Sequence, residues 1–275
     1  MTFGVRRARV RLGSTLALDD VTLEVEPGSV VAVVGGDGAG KTTLLRALVG
    51  EVALDEGTVS APSPERIGYL PATTGSWPAL TVRQNVDFVG GIYGLSGARL
   101  DARRTELLDR AGLTAASDRT SAQLSGGMRR KLGFCLAMVH EPELLVLDEP
   151  STGVDPVSRV DLWRLVSEAA ASGAAVVMST TYLDEAERAE RLLALDAGQV
   201  LAQGTLDAVL ASVPGRVTVS SVRHDGGRSW RRGLLHHEHW ADGVVIPADA
   251  QVVTPDLEDA VVALSLARRA AAGAA

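Results

Sequence analysis

Early in the chain, apolar residues recur at every second position and then run together. Val21, Leu23 and Val25 alternate with polar neighbours, as in a strand with one buried face, and Pro27-Gly28 marks a turn. Residues 29–34 then form a short apolar run, which predicts a strand buried on both faces. From Phe3 to about Val34 the pattern predicts short strands and turns. After a glycine-rich stretch, a helix is expected from near Lys41 to just before Gly50. Residues 81–113 predict helix in two pieces, broken around Gly94 to Gly97, and a further helix follows Gly126-Gly127 and stops near Pro142. Leu144 to Leu147 repeats the doubly buried strand. A helix over 157–172 should end at Gly173, followed by a strand at 174–178 and a helix at 182–191. Strand and helix alternate, so the fold class is α/β with a mostly parallel central sheet. Past about Pro214 come short β-like pieces at 217–222 and 244–246. A last helix opens at Thr254-Pro255 with Leu257, Val261 and Leu264 on one face, and an alanine-rich tail from Ala270 should fray.

Composition narrows the classes. With 46 % apolar and 22 % charged residues the chain is an ordinary folded protein, and a net charge of −7 gives no reason to expect nucleic-acid binding. No apolar run approaches the ~20 residues that cross a bilayer, and Arg6, Arg7, Arg9 and Arg11 interrupt any leader-like core. The expectation is a cytoplasmic protein whose membrane role would need another chain.

The chemistry is concentrated in two places. Gly35, Gly36, Asp37, Gly38, Ala39, Gly40, Lys41 and Thr42 fit G-x-x-x-x-G-K-[ST], between a strand and a helix, with Thr43 beside them. Glycines let successive backbone N–H groups turn onto phosphates, and the helix N-terminus adds positive potential. Lys41 can reach the β- and γ-phosphates of ATP, and the Thr42 hydroxyl can ligate Mg²⁺. At the end of the 144–147 strand, Asp148 can hold the same Mg²⁺ and Glu149 can polarise an attacking water.

Between them lie Leu124, Ser125, Gly126, Gly127 and Met128. In this order and spacing they resemble the L-S-G-G-Q signature of the ATP-binding cassette (ABC) family, with Met128 in the last place. The segment Thr152 to Pro156, including Asp155, is similar to the family's D-loop. The resemblance covers about residues 3–212, and 66–71, 80–85 and 180–186 also sit where family segments do. It implies a P-loop ABC-ATPase fold with an N-terminal antiparallel β-subdomain and a helical signature subdomain at about 81–140. The cassette would span 1–212 and a small C-terminal appendage 213–275. It implies an ATPase working with ATP and Mg²⁺, peripheral on the inner face of the cell membrane through a permease. Ser125, Gly126 and Gly127 would act on the nucleotide held by a second cassette. Residues 153–159 and 255–260 look most like subunits of ABC-2-type exporters, including multidrug efflux systems.

Three positions depart from the family pattern. Ala72 stands where a glutamine is usual, Thr181 where a histidine contacts the γ-phosphate, and Leu12 where an aromatic residue stacks on adenine. Losing the glutamine and histidine would each cost about 3 kcal/mol of transition-state positioning, while Glu149 remains. A weak site of its own beside an intact signature favours a heterodimer over a homodimer. Two rival readings stay open: a regulatory subunit that binds ATP without hydrolysing it, and an ABC ATPase not tied to transport.

Smaller features have simpler readings. His236, His237, Glu238 and His239 look like a solvated loop without a second ligand cluster, and Cys135 like a core residue. Trp77, Phe88 and Tyr93 either pack locally or line a groove for a permease, and the arginine run reads as a solvated edge strand.

Overall fold

The computed structural model describes residues 2–73 and 75–273. Two long strands open it, β1 (Phe3–Leu12) and β2 (Thr15–Val25), followed by β3 (Val30–Val34), helix α1 (Lys41–Leu48), β4 (Glu56–Ser60) and β5 (Ile67–Leu70). Next come α2 (Val82–Ile92), α3 (Gly97–Arg110), α4 (Gly126–Met138), β6 (Leu144–Asp148), α5 (Pro156–Ala171) and β7 (Ala175–Thr180). The chain continues through α6 (Leu183–Ala186), β8 (Arg191–Asp196), β9 (Gln199–Gly204) and α7 (Leu206–Ala211). It ends with β10 (Arg216–Ser220), β11 (Ser229–Arg232), β12 (Leu235–Trp240), β13 (Gln251–Val253) and α8 (Leu257–Gly273).

The central sheet runs β5-β6-β7-β3-β8-β9, parallel except for the final β8–β9 hairpin. Period-two alternation divides its side chains between two cores. Val30, Ala32, Val34, Leu145, Leu147, Val176 and Met178 face a layer containing α2 to α5. Val31, Val33, Leu144, Val146, Ala175 and Val177 face α1 and the antiparallel sheet β2-β1-β4. This double coverage is why β3, β6 and β7 are buried along their whole length.

In the helical region, Thr81 caps α2 reciprocally: its hydroxyl accepts from the Gln84 N–H, and the Gln84 side chain accepts from the Thr81 N–H. Cys135 lies in the core of α4, where burial pushes its thiol up to about 12.

Four sequence expectations change. The arginine run lies on β1, the middle strand of its sheet and not an edge; Arg6, Arg7 and Arg9 pair with Glu24, Asp20 and Asp19 on β2 at 2.9, 3.0 and 2.7 Å. Helix 182–191 shrinks to α6, because Arg191 already begins β8, which must pair with β3. Residues 244–246 form no strand. The 236–239 histidines lie on β12, paired between β11 and β10, and not in a loop; Glu238 and His239 are buried.

The C-terminal segment forms a separate antiparallel sheet, β11-β12-β10-β13. Its closing helix α8 returns to the main core through Leu257, with Val261 and Leu264 packed against it. The tail expected to fray from Ala270 continues as helix to Gly273; its last two residues lie outside the described ones.

Candidate functional site

Parallel strands put their C-terminal ends on one edge, where ligands of open α/β sheets bind. Register fixes which residues meet there: Val34 of β3 is opposite Thr180 of β7, and Asp148 of β6 is opposite Ser179 of β7. The glycine-rich loop leaves β3 at that edge and enters α1. Its backbone needs glycine at both ends. Gly35 has φ +153° and a Cβ there would lie 2.4 Å from the Leu195 carbonyl oxygen; Gly40, at φ +103°, would place one 2.7 Å from that of Ala17.

Residues 36–43 and Glu149 line one cavity together with Thr15, Leu16, Ala17 and Ala197. Lys41 is buried, donating from Nζ to the Gly35 and Gly36 carbonyls at 2.8 and 3.2 Å, with Glu149 Oε1 at 3.4 Å. Thr42 Oγ1 lies 3.2 Å from Asp148 Oδ1. Glu149 itself sits at φ +47°, a conformation that costs a side-chain-bearing residue energy. Its N–H donates to Ser179 Oγ at 2.9 Å, and its Oε2 accepts from Thr152 Oγ1 at 2.9 Å.

Asp148 supplies the test for a metal. Its Oδ1 accepts from Ser179 Oγ at 2.7 Å as well as from Thr42, but its Oδ2 is buried without a hydrogen-bond partner. A buried, bare carboxylate oxygen beside a threonine hydroxyl and a phosphate-type loop fits a hard cation such as Mg²⁺, which takes one or two protein oxygens and completes its shell from phosphates and water.

Residues 18–152 match the ABC transporter family. The daunorubicin resistance ATP-binding protein DrrA3 of Streptomyces coeruleorubidus is 35 % identical over 269 residues, covering 94 % of this chain and 84 % of the relative. The chain belongs to the ABC transporter family. Another relative, the probable multidrug ABC transporter ATP-binding protein YbhF of Escherichia coli (strain K12), is 35 % identical over 84 % of this chain. The chain spans only 43 % of that relative. A solved ATP-binding subunit of an ABC transporter superposes with a TM-score of 0.71 at 30 % identity, over 77 % of this chain and 92 % of that one. The cassette MJ0796, solved as a dimer, has the same fold with a TM-score of 0.68 at 23 % identity, over 75 % of this chain and 99 % of that one.

Within this cassette the signature residues lie apart from the phosphate-loop cavity, whose lining contains none of Ser125, Gly126 or Gly127. Ser125 caps α4, accepting from the Met128 N–H at 3.3 Å. Gly127 abuts α5, where a Cβ would meet Ser158 Oγ at 2.8 Å. Asp155 caps α5, accepting from the Val157 and Ser158 N–H groups, and these bonds, that of Ser158 foremost, lower its pKa. Leu12, Ala72 and Thr181 are all exposed. So are Trp77 and Phe88, which meet edge to face at 4.8 Å, and Tyr93, which stacks on His140 at 3.7 Å.

Three positioning groups escape a motif search. Ser179 joins Asp148 to the Glu149 backbone. Arg130, on the signature helix, donates to the carbonyls of Pro71, Ala72 and Thr73 at 3.3, 2.6 and 3.0 Å, tying α4 to the segment after β5. Burial lowers the Arg130 pKa while Asp148 and Glu149 pull it back up. Buried Glu185 accepts from Ser151, Thr180 and Arg159 at 2.7, 2.8 and 2.8 Å, binding the ends of β6 and β7 to α5. Ser179 comes beside Asp148 only through the register of β6 on β7, which no local pattern in the sequence shows.

Proposed function

We propose that this chain binds Mg–ATP and hydrolyses it as one of two cassettes that power a membrane permease of the ABC-2 export type. The observation that carries the reading is the meeting of Lys41, Thr42 and Glu149 around one cavity, with Asp148 buried behind Thr42 and one of its oxygens unpartnered. Backbone N–H groups of 36–43 bind the phosphates, and Lys41 exchanges its loop carbonyls and Glu149 for phosphate oxygens. That exchange frees the Glu149 carboxylate to orient a water and accept its proton as oxygen attacks the γ-phosphorus and ADP leaves. Thr42 and Asp148 would hold Mg²⁺, which neutralises charge on the phosphates.

Export is supported by relatives named for multidrug and daunorubicin resistance, and pairing of cassettes by the dimeric solved cassette. Among the described residues no helix is long and apolar enough to cross a membrane, which fits a permease on another chain. Exposed Ala72 offers no side-chain donor and exposed Thr181 only a short neutral one for the γ-phosphate or the water, whereas Ser125, Gly126 and Gly127 sit at an intact helix N-terminus. We therefore favour a heterodimer in which this signature completes a partner's site. The same two residues favour a second reading, a regulatory subunit that binds ATP without hydrolysing it; Glu149 opposes it.

Light scattering on the Glu149→Gln chain with Mg–ATP tests the pairing. The heterodimer reading expects a monomer with ATP bound. An ATP-dependent dimer of the chain alone would replace it with a homodimer.

A further inference from the structure

The turn between β8 and β9 is gripped from both sides. Its centre, Ala197 and Gly198, lies in the left-handed region at φ +48° and +78°, a demanding conformation for alanine. Ala197 lines the phosphate-loop cavity, and the Gly198 N–H donates to the carbonyl of Ala39 in that loop at 3.0 Å. The Gly198 carbonyl accepts from the Asp19 N–H at 2.8 Å, and a Cβ at 198 would lie 2.7 Å from the Ala17 oxygen. The turn therefore has no slack against the nucleotide side.

Its two ends are held by the C-terminal helix. Ser265 Oγ donates to Asp196 Oδ2 at 2.9 Å, and Arg268 donates to the Asp196 carbonyl at 3.0 Å and to Gln199 Oε1. Gln199 in turn donates to Asp19 Oδ2 at 2.7 Å. One guanidinium thus spans both ends of a turn whose centre braces the phosphate loop. Guanidinium is suited to this, since its fork of fixed donors meets two acceptors at once.

We infer that Arg268 is a positioning residue for ATP, and that helix α8 sets the cassette's nucleotide affinity through the 196–199 turn. Holding the turn in place fixes the Ala39 carbonyl and keeps the loop N–H groups preorganised for phosphate. Coupling of this kind is reciprocal: ATP in the loop must also tighten α8. The C-terminal segment then belongs to the nucleotide site, and a partner that draws α8 away would release ATP.

The inference rests on ATP binding at this loop, so wild-type chain that fails to bind Mg–ATP would sink that reading first. Isothermal titration of the full chain with Mg–ATP should show Arg268→Ala binding about five- to tenfold more weakly, the lower range of measured couplings. Ser265→Ala should weaken it less, Arg268→Lys, a point charge without the fork, should recover only part of the loss, and exposed Arg269→Ala should change nothing. A merely structural role would lower melting temperature without this pattern. Hydrogen exchange on wild type needs no variant to fold: Mg–ATP should slow exchange at 196–199 and along 257–270. Unchanged exchange there, or Arg268→Ala binding within twofold of wild type, would overturn the inference.

Discussion

Ser179 is the residue whose removal should reveal most about how the acids are held. Its hydroxyl is fully buried, donates to Asp148 Oδ1 at 2.7 Å and accepts from the Glu149 N–H at 2.9 Å. Ser179→Ala deletes one atom, leaves Asp148 with Thr42 as its remaining donor, and orphans the Glu149 amide. A hydrogen bond to a charged group contributes about 1.5–3 kcal/mol, and an unpaired buried donor costs about 1–3 kcal/mol. The Glu149 site is part-buried and solvent can recover some of this, so a total of about 3 kcal/mol is expected. For a chain of this size that lowers the melting temperature by about 6–12 °C. ATP affinity should change little, because the Ser179 hydroxyl bonds to Asp148 and the Glu149 backbone and makes no hydrogen bond to the loop residues 36–43. Differential scanning fluorimetry with ATP titrations reads both effects. A melting temperature within about 1 °C of wild type would refute the reasoning.

Other consequences are direct. Lys41→Ala removes the buried ammonium and should weaken ATP binding about 10- to 100-fold, read by calorimetry, from one lost charge-assisted bond. Asp148→Asn should abolish the part of the ATP-induced melting shift that depends on Mg²⁺; a shift still sensitive to EDTA would contradict the assignment of its bare oxygen. In the C-terminal sheet, the His224 pKa is raised by hydrogen bonding to Glu238, with burial opposing and Asp249 adding to the rise. Its stabilisation is complete below the ordinary histidine value of about 6.5 and is lost as pH rises through the raised one. Melting of wild type should accordingly fall across that interval and that of His224→Asn should not; parallel curves would contradict the pairing.

What the sequence made legible was what is local. The phosphate loop is a contiguous pattern between a strand and a helix, and Asp148-Glu149 closes an apolar run, so both could be placed without knowing the sheet order. Ser179, Arg130 and Glu185 could not, because their partners are brought to them by strand register and by the docking of α4 and α5. The arginines of β1 looked like a solvated edge because their acids lie on β2 and β4, and no local period announces which strand is central. The histidines at 236–239 misled for a related reason. Burial of Glu238 depends on the His224 and Asp225 N–H groups that its carboxylate accepts, at 2.7 and 3.1 Å, and not on hydrophobicity. The helix at 182–191 stops at Ala186 because 187–190 turn the chain back so that β8 can start at Arg191 beside β3, a constraint of sheet pairing that the local sequence does not announce.

The measurement closest to the central claim is ATP binding and steady-state turnover by the purified chain, with Glu149→Gln as the blank. The account predicts that the chain binds Mg–ATP but turns over no faster than Glu149→Gln, its signature serving a partner's site. Clear Glu149-dependent turnover by the chain alone would mean a self-sufficient homodimer and contradict the reasoning from Ala72 and Thr181.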